Sequence, residues 1–337
     1  MRNLKYVAVL LSILCCAGCS NMENVPESEV MQEPERYTIS LGVGDGTESR
    51  ASGTTIYGIN VWFDKDKDGS VDDIYAYGLF DDPSKMSLTL LSGYKYGFDC
   101  SAVKDAKSKL YYGPYDGNTF AGYAAPFQTS SSSSTMLENK FYTGVSTKLS
   151  GLYKGKAVLK SGDASYTSVD YPSLERYYGE VTGYTPVKDG VVNIPLKKTY
   201  FGNKLKVKGK LDGKVTVTCK IGSTEVWSKS TTNEMEEKGT IYSYYDVYDC
   251  WKNESNLTAT ITMSYNSNRG DYWDLSNSKT ITFKRNVMTT ITINVNPDYS
   301  SGAFSVLEEE MDEDNYIDFG INDEGELDVT VNPDEEE

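Results

Sequence analysis

The chain has 337 residues, with 33 Lys and Arg against 49 Asp and Glu, a net charge of -16, and no histidine. The missing histidine excludes Ser-His-Asp and Cys-His catalysis and His-containing zinc sites. Residues 298–337 hold sixteen of the acids and no Lys or Arg, so they carry the whole net charge, and without a basic stripe in the remainder nucleic acid is excluded as a partner.

Residues 1–19, MRNLKYVAVLLSILCCAGC, begin with basic Arg2 and Lys5. They continue through a short apolar run, Val7 to Leu14, to the small residues Ala17 and Gly18. The run is too short to span a bilayer, which makes it a signal peptide. CAGC resembles a bacterial lipoprotein box, with Cys16 in the place usually held by leucine; lipidation would then fall on Cys19. A plain secretory signal is the alternative. Residues 20–35 are polar and acidic and read as a tether.

RYTISLGVG, Arg36 to Gly44, alternates Tyr37, Ile39, Leu41 and Val43 on one face, which predicts a strand. DGTESRASG follows, a turn-rich exposed stretch that carries Arg50 and Ala51. TTIYGINVWF and DIYAYGLF then read as strands on either side of DKDKDGSVD. KMSLTLLSGYKYGFDCSAV supplies two more, joined at Ser92 and Gly93. The segment from Tyr111 to Tyr184 is looser, and its serine run reads as a loop.

From Val191 onward the strands are regular. Leu205 and Val207 precede Asp212-Gly213, and Val215, Val217 and Cys219 follow it, a hairpin signal. NLTATITMSY and SKTITFKRNVMTTITINVNP continue the pattern. Length and patterning together predict a mainly β protein of two consecutive antiparallel β-sandwich domains, residues 36–195 and 196–297, with an acidic C-terminal extension over 298–337. Within that extension YIDFGI and ELDVTVNP still alternate; the latter puts Leu327, Val329 and Val331 on one face.

DKDKDGSVDDIY opens like a calcium loop. Counted from Asp64, positions 1, 3 and 5 are Asp64, Asp66 and Asp68, the sixth is Gly69, Ser70 offers a carbonyl and Asp72 is ninth. The twelfth is Tyr75, where a bidentate acid is needed, and strands replace the flanking helices. The stretch therefore reads as a hairpin tip, with a weak calcium site as the lesser alternative and no other cofactor expected. Beyond Cys19 the mature chain has Cys100, Cys219 and Cys250. An odd number excludes a full disulfide framework and leaves a Cys219/Cys250 pair or buried free thiols.

The order of these elements resembles the fimbrillins and the wider fimbrillin-like surface lipoproteins of Bacteroidetes. It runs from the box at Cys19 through YTISLGV, SRASG and IYGINVWFD to LTLLSGYKYGF, then PLKKTYFGNKLKVKG and ITFKRNVMTTITINVNP. The resemblance implies export as a lipidated precursor to the outer membrane. A trypsin-like cut at Arg50-Ala51 would release YTISLGV, and a C-terminal strand of another subunit, with Leu327, Val329 and Val331 as candidate, would fill the groove. The partners implied are other fimbrial subunits or further copies of the chain in a filament, and a host receptor or glycan. The competing class is a non-polymerising surface lipoprotein that binds glycans, for which Trp62, Trp227, Trp251 and Trp273 are available. Carboxylate-pair hydrolysis survives the residue inventory, but among so many acids it has no distinguishing signal, and no enzymatic activity is expected.

Overall fold

The apolar residues that alternate along the strands are the ones that end up inside. The computed structural model describes residues 34–44, 54–114, 121–129, 133–162, 165–209, 211, 213–267, 275–295, 302–311, 319–321 and 327–329. Cys19, Arg50, Ala51, Trp273 and Val331 lie outside them, as do the signal peptide and nearly all of the expected tether. Glu35–Glu337 group as one unit by their contacts. No helix among the described residues is long and apolar enough to cross a membrane.

The first part of the chain contains β1 (Arg36–Gly44), β2 (Ile56–Phe63), β3 (Asp73–Phe80), β4 (Ser87–Leu91), β5 (Tyr96–Val103), a turn of helix α1 (Ala106–Lys109), β6 (Tyr112–Pro114), β7 (Ala121–Tyr123) and β8 (Lys140–Thr143). It continues with β9 (Ala157–Lys160), β10 (Tyr166–Val169), β11 (Arg176–Tyr184), β12 (Val191–Pro195) and β13 (Lys197–Lys198). A six-stranded sheet has the order β13-β11-β5-β2-β3-β8, and a three-stranded sheet the order β12-β1-β4. Period-two alternation sorts the larger sheet into two faces. Ile59, Val61, Phe98, Cys100 and Tyr177 face a core shared with Ile39, Leu41 and Val43 of β1. Ile56, Leu79 and Val103 instead pack with Phe127, Leu149, Leu152 and Leu174 from the connecting segments.

The remainder contains β14 (Tyr200–Lys208), β15 (Gly213–Ile221), β16 (Thr224–Thr231), β17 (Met235–Glu236), β18 (Thr240–Ser243), helix α2 (Val247–Asn253), β19 (Leu257–Ser267), β20 (Leu275–Phe283), β21 (Val287–Val295), β22 (Gly302–Glu310), β23 (Phe319–Ile321) and β24 (Leu327–Val329). One sheet joins β17 and β18 to β14, then β21 and β22; the other runs β16-β15-β19-β20. Between them lie Phe201, Leu205, Val207, Ile291 and Ile293 from the first sheet and Val217, Cys219, Ile261 and Phe283 from the second. The fold is a mainly β sandwich.

Several local expectations are corrected. β14 and β15 do not pair across Asp212-Gly213, because they belong to different sheets. Each strand has an apolar face to bury, and placing the two on opposite sides of one core buries both. The pair that does form a tight hairpin is β15 and β16, with Ile221 opposite Thr224 and Gly222 at φ +58 in the two-residue connection, where a positive φ is required. Ser92 and Gly93 join β4 and β5 as expected, and the two strands go to different sheets, since β4 pairs with β1 and β5 with β2 and β11. Two pairings, β1 with β12 and β14 with β21, are parallel and not antiparallel. The looser middle segment supplies β11, which lies inside the six-stranded sheet. Within the acidic extension residues 302–310 extend a sheet as β22, antiparallel to β21. The cysteines among the described residues, Cys100, Cys219 and Cys250, are all buried thiols outside any disulfide.

Candidate functional site

β1 lies between two strands and is not an edge. Arg36 to Ser40 pair antiparallel with Leu91 to Ser87 of β4, and Ser40 to Gly44 pair parallel with Val191 to Pro195 of β12. Further bonds continue the two ladders: Leu41 N donates to Met86 O at 2.8 Å, Ser40 N to Gly190 O at 3.0 Å, and Ser92 N to Glu35 O at 2.7 Å. Ile39, Leu41 and Val43 are 1%, 4% and 7% exposed, so the strand is a wedge in the core. β1 and β2 lie in different sheets, and residues 45–53 between them include Arg50 and Ala51. Taking β1 away would leave backbone donors and acceptors of β4 and β12 unpaired above an apolar slot.

The two alternating pieces near the C-terminus pair with each other. β23 and β24 are antiparallel, with Phe319 opposite Val329 and Ile321 opposite Leu327.

Asp64, Asp66, Asp68, Ser70 and Asp72 occupy the connection between paired β2 and β3, where Trp62 faces Ile74 and Phe63 faces Asp73. Asp64 Oδ2 accepts from Gly69 N at 3.0 Å and Asp68 Oδ1 from Ser70 N at 2.7 Å, both turn-forming bonds. Gly69 has φ +98, which explains glycine there. Asp64 is buried and its Oδ1 has no hydrogen-bond partner, whereas Asp66, Asp68, Ser70 and Asp72 are exposed. Among the described residues no group of three or more Cys, Asp or Glu is arranged to hold a metal.

A second constellation shares only Trp62 with the sequence expectations. Asn60 on β2, Asp99 on β5 and Glu180 on β11 are directly opposite one another in register, forming a polar row across the six-stranded sheet. Asp99 is 6% exposed; it accepts from Asn60 Nδ2 at 3.1 Å and from Trp62 Nε1. Burial outweighs those bonds and pushes its carboxyl up to about 6. Glu180 is also raised, chiefly by burial. The signal was present as polar residues inside the otherwise apolar runs IYGINVWF and YGFDCSAV.

Asn60 and Arg176 clamp residues 149–152 onto the sheet beside this row. Asn60 accepts from Leu149 N at 2.8 Å and donates to Leu149 O at 3.0 Å. Arg176, 1% exposed, donates from Nε to Ser101 Oγ at 3.0 Å and from Nη2 to the carbonyls of Gly151 and Leu152 at 2.5 and 2.8 Å. No carboxylate is among these partners, and burial lowers its pKa.

No protein-family model matches the chain. No curated protein matches it either. Among solved structures it is similar to a candidate cell adhesion protein of Bacteroides eggerthii at a TM-score of 0.38 and 10% identity, over 83% of this chain and 97% of the other. It is similar to the fimbrial anchor protein Mfa2 of Porphyromonas gingivalis at 0.35 and 8%, over 82% and 98%. A fimbrial assembly protein of Parabacteroides distasonis gives 0.32 and 13%, over 82% and 99%. These are likenesses of strand layout, and no residue role is transferred from them.

Proposed function

We propose that the chain is a fimbrial subunit, structural or adhesive, that is exported with a lipid on Cys19, cut at Arg50-Ala51 and assembled by strand exchange. The observation that supports this reading is the position of β1. It is paired on both sides and wedged into the core by Ile39, Leu41 and Val43, yet it is followed by a segment in which a trypsin-like protease would find an arginine. Excision turns a stable sheet into a slot that a second chain can fill with main-chain bonds and alternate side chains.

Leu327, Val329 and Val331 repeat the two-residue spacing of Ile39, Leu41 and Val43, so one strand could stand in for the other. To reproduce the bonding, the incoming strand must run parallel to β12 and antiparallel to β4. Donor and slot are different surfaces, so each subunit would offer a donor and an empty slot, and the assembly would grow as an open filament. Its partners are then further copies or other fimbrial subunits, with the lipid holding the precursor at the outer membrane.

N-terminal sequencing of protein taken from the native surface, with electron microscopy of the same material, tests the proposal. A mature end at Ala51 on filamentous material supports it. An intact Cys19 lipopeptide on every copy, with monomers only, overturns it.

A further inference from the structure

Asp99 and Glu180 of the polar row lie at the bottom of a cleft of about 530 Å³, within the range of roughly 300–1,000 Å³ typical of small-molecule sites. Its floor is formed by Asp99, Glu180 and Trp62, with Gly97 opposite Trp62 on the neighbouring strand. A side chain at Gly97 would enter the space between Val71 and Trp62, with Val71 Cγ1 only 3.1 Å from its Cβ. Lys148, Tyr153 and Tyr248 line the cleft above.

Those lining residues are held in place. Lys148 and Tyr153 flank the segment 149–152 that Asn60 and Arg176 fasten to the sheet. Tyr153 O accepts from Tyr248 N at 2.9 Å, joining that segment to α2. Lys154 Nζ reaches Asp246 Oδ2 at 2.7 Å. Lys148 Nζ stands 4.4 Å from the centre of the Trp62 ring, and Tyr248 packs edge-on to Tyr178 at 6.2 Å. Despite this bracing, Tyr153 and Tyr248 are 39% and 36% exposed, more than a core role requires.

Ligand classes separate on this chemistry. A carboxylate has about four acceptor positions, and the two donors on Asp99, Asn60 and Trp62, take one on each oxygen. Asp99 and Glu180 outnumber Lys148, the cation lining the cleft, and so together disfavour an anion. A purely apolar ligand would strip water from both carboxylates with no compensating bond. Aromatic faces and spare acceptors in one cleft suit a ligand with a C–H face and several hydroxyl donors.

We propose that this cleft is a saccharide-binding site, in which Asp99 and Glu180 accept hydrogen bonds from sugar hydroxyls while Tyr153 and Tyr248 lie against the apolar face of the ring. The site is built from β2, β5, β11, the 149–153 segment and α2, none of which contains β1 or the candidate donor. It therefore stands apart from strand exchange and can fail or succeed independently of it.

The Trp62 indole N–H, bonded to Asp99, is a reporter placed in the site. In ¹⁵N-tryptophan-labelled protein that begins at Glu35 and so keeps β1, its signal is assigned with Trp62→Phe. The protein is then titrated with methyl glycosides of glucose, galactose, mannose, fucose and N-acetylglucosamine, and with lactose and maltose. At least one probe is expected to shift the signal saturably in the millimolar range, typical of weak binding. The double variant Tyr153→Ala/Tyr248→Ala should weaken that probe by about tenfold or more with the melting temperature retained, because both rings are partly exposed. Glu180→Gln, which keeps the shape, should also weaken it. A Trp62 signal that no probe moves, or a titration that the double variant leaves unchanged, overturns the proposal.

Discussion

A chain that begins at Ala51 and so lacks β1 should lose most of its net stability and regain it from a peptide. Ile39, Leu41 and Val43 are almost wholly buried. At about 1.5–3 kcal/mol for each buried side chain they contribute about 5–9 kcal/mol, an upper figure because the unfolded chain already hides some of that surface. Domains are stable by only about 5–15 kcal/mol in total. The truncated chain should therefore denature at a much lower urea concentration than one beginning at Glu35, and self-associate through its open slot. A peptide of residues 36–44 should reverse both effects, adding about 2.7 kcal/mol at a hundred times its Kd. The same peptide with Leu41→Asp should do nothing. A truncated chain that stays monomeric, unfolds at the full-length midpoint and ignores the peptide would refute the wedge reasoning.

Arg176→Met keeps much of the volume but leaves the Gly151 and Leu152 carbonyls without their guanidinium donor, so urea unfolding should show a loss of about 2–5 kcal/mol. Arg176→Lys should rescue little, since one ammonium cannot reproduce the fork. Asp99 has its folded pKa raised to about 6, so the folded state holds its proton more tightly. Its contribution to stability is fully present below about pH 4 and is lost as pH rises through about 6, a change of about 3 kcal/mol. Denaturation of wild type and Asp99→Asn across that window should show the slope reduced in the variant. Gly69→Ala meets nothing within 4 Å but must hold φ +98, and should cost about 1–3 kcal/mol through backbone strain alone, read from thermal melts. Calcium titrated into the wild type should give no heat and leave the melting temperature unchanged, because four of the five candidate ligands are exposed and only Asp64 is buried. Cys100, Cys219 and Cys250 should react with a thiol reagent only after unfolding, all three being buried and the Cys219 thiol pushed up to about 12 by burial.

Strands and local turns were legible because their causes are local. Ile59, Val61 and Phe63 alternate into the Asp68-Gly69 turn, and the chain folds back there with the expected partner. Asp212-Gly213 carries equally good turn residues, yet β14 and β15 separate across it. Turn chemistry says that the chain bends, while burial of each strand's apolar face decides whether it stays in one sheet. Pairing of β1 with β12 joins Ser40 to Val191, a separation at which no local propensity acts. The same holds for the cleft. Asn60 and Asp99 stand out as polar interruptions of apolar strands, but only register sets them opposite each other and opposite Glu180. The spacing of Leu327, Val329 and Val331 is legible as a strand face, whereas the partner of that face is set by what else the chain, or another copy, presents.

The two proposed activities meet on one sheet and stay separate because strands have two faces. On β2, Ile59 and Val61 point into the core that β1 closes, whereas Trp62 lines the cleft and Asn60, on the same face, is buried against Asp99 and Leu149. On β5 the same alternation sends Phe98 and Cys100 one way and Gly97 and Asp99 the other. Exchange of β1 for a strand of another subunit would refill the first face with side chains at the same spacing. It would leave the register that lines up Asn60, Asp99 and Glu180 unchanged, since that register is fixed by β2, β5 and β11 pairing among themselves. A filament assembled in this way would display one intact cleft per subunit, so weak sugar binding at each would be multiplied along its length by effective concentration. The affinity of filaments for an immobilised sugar should then exceed that of the precursor monomer by far more than any difference between their individual sites.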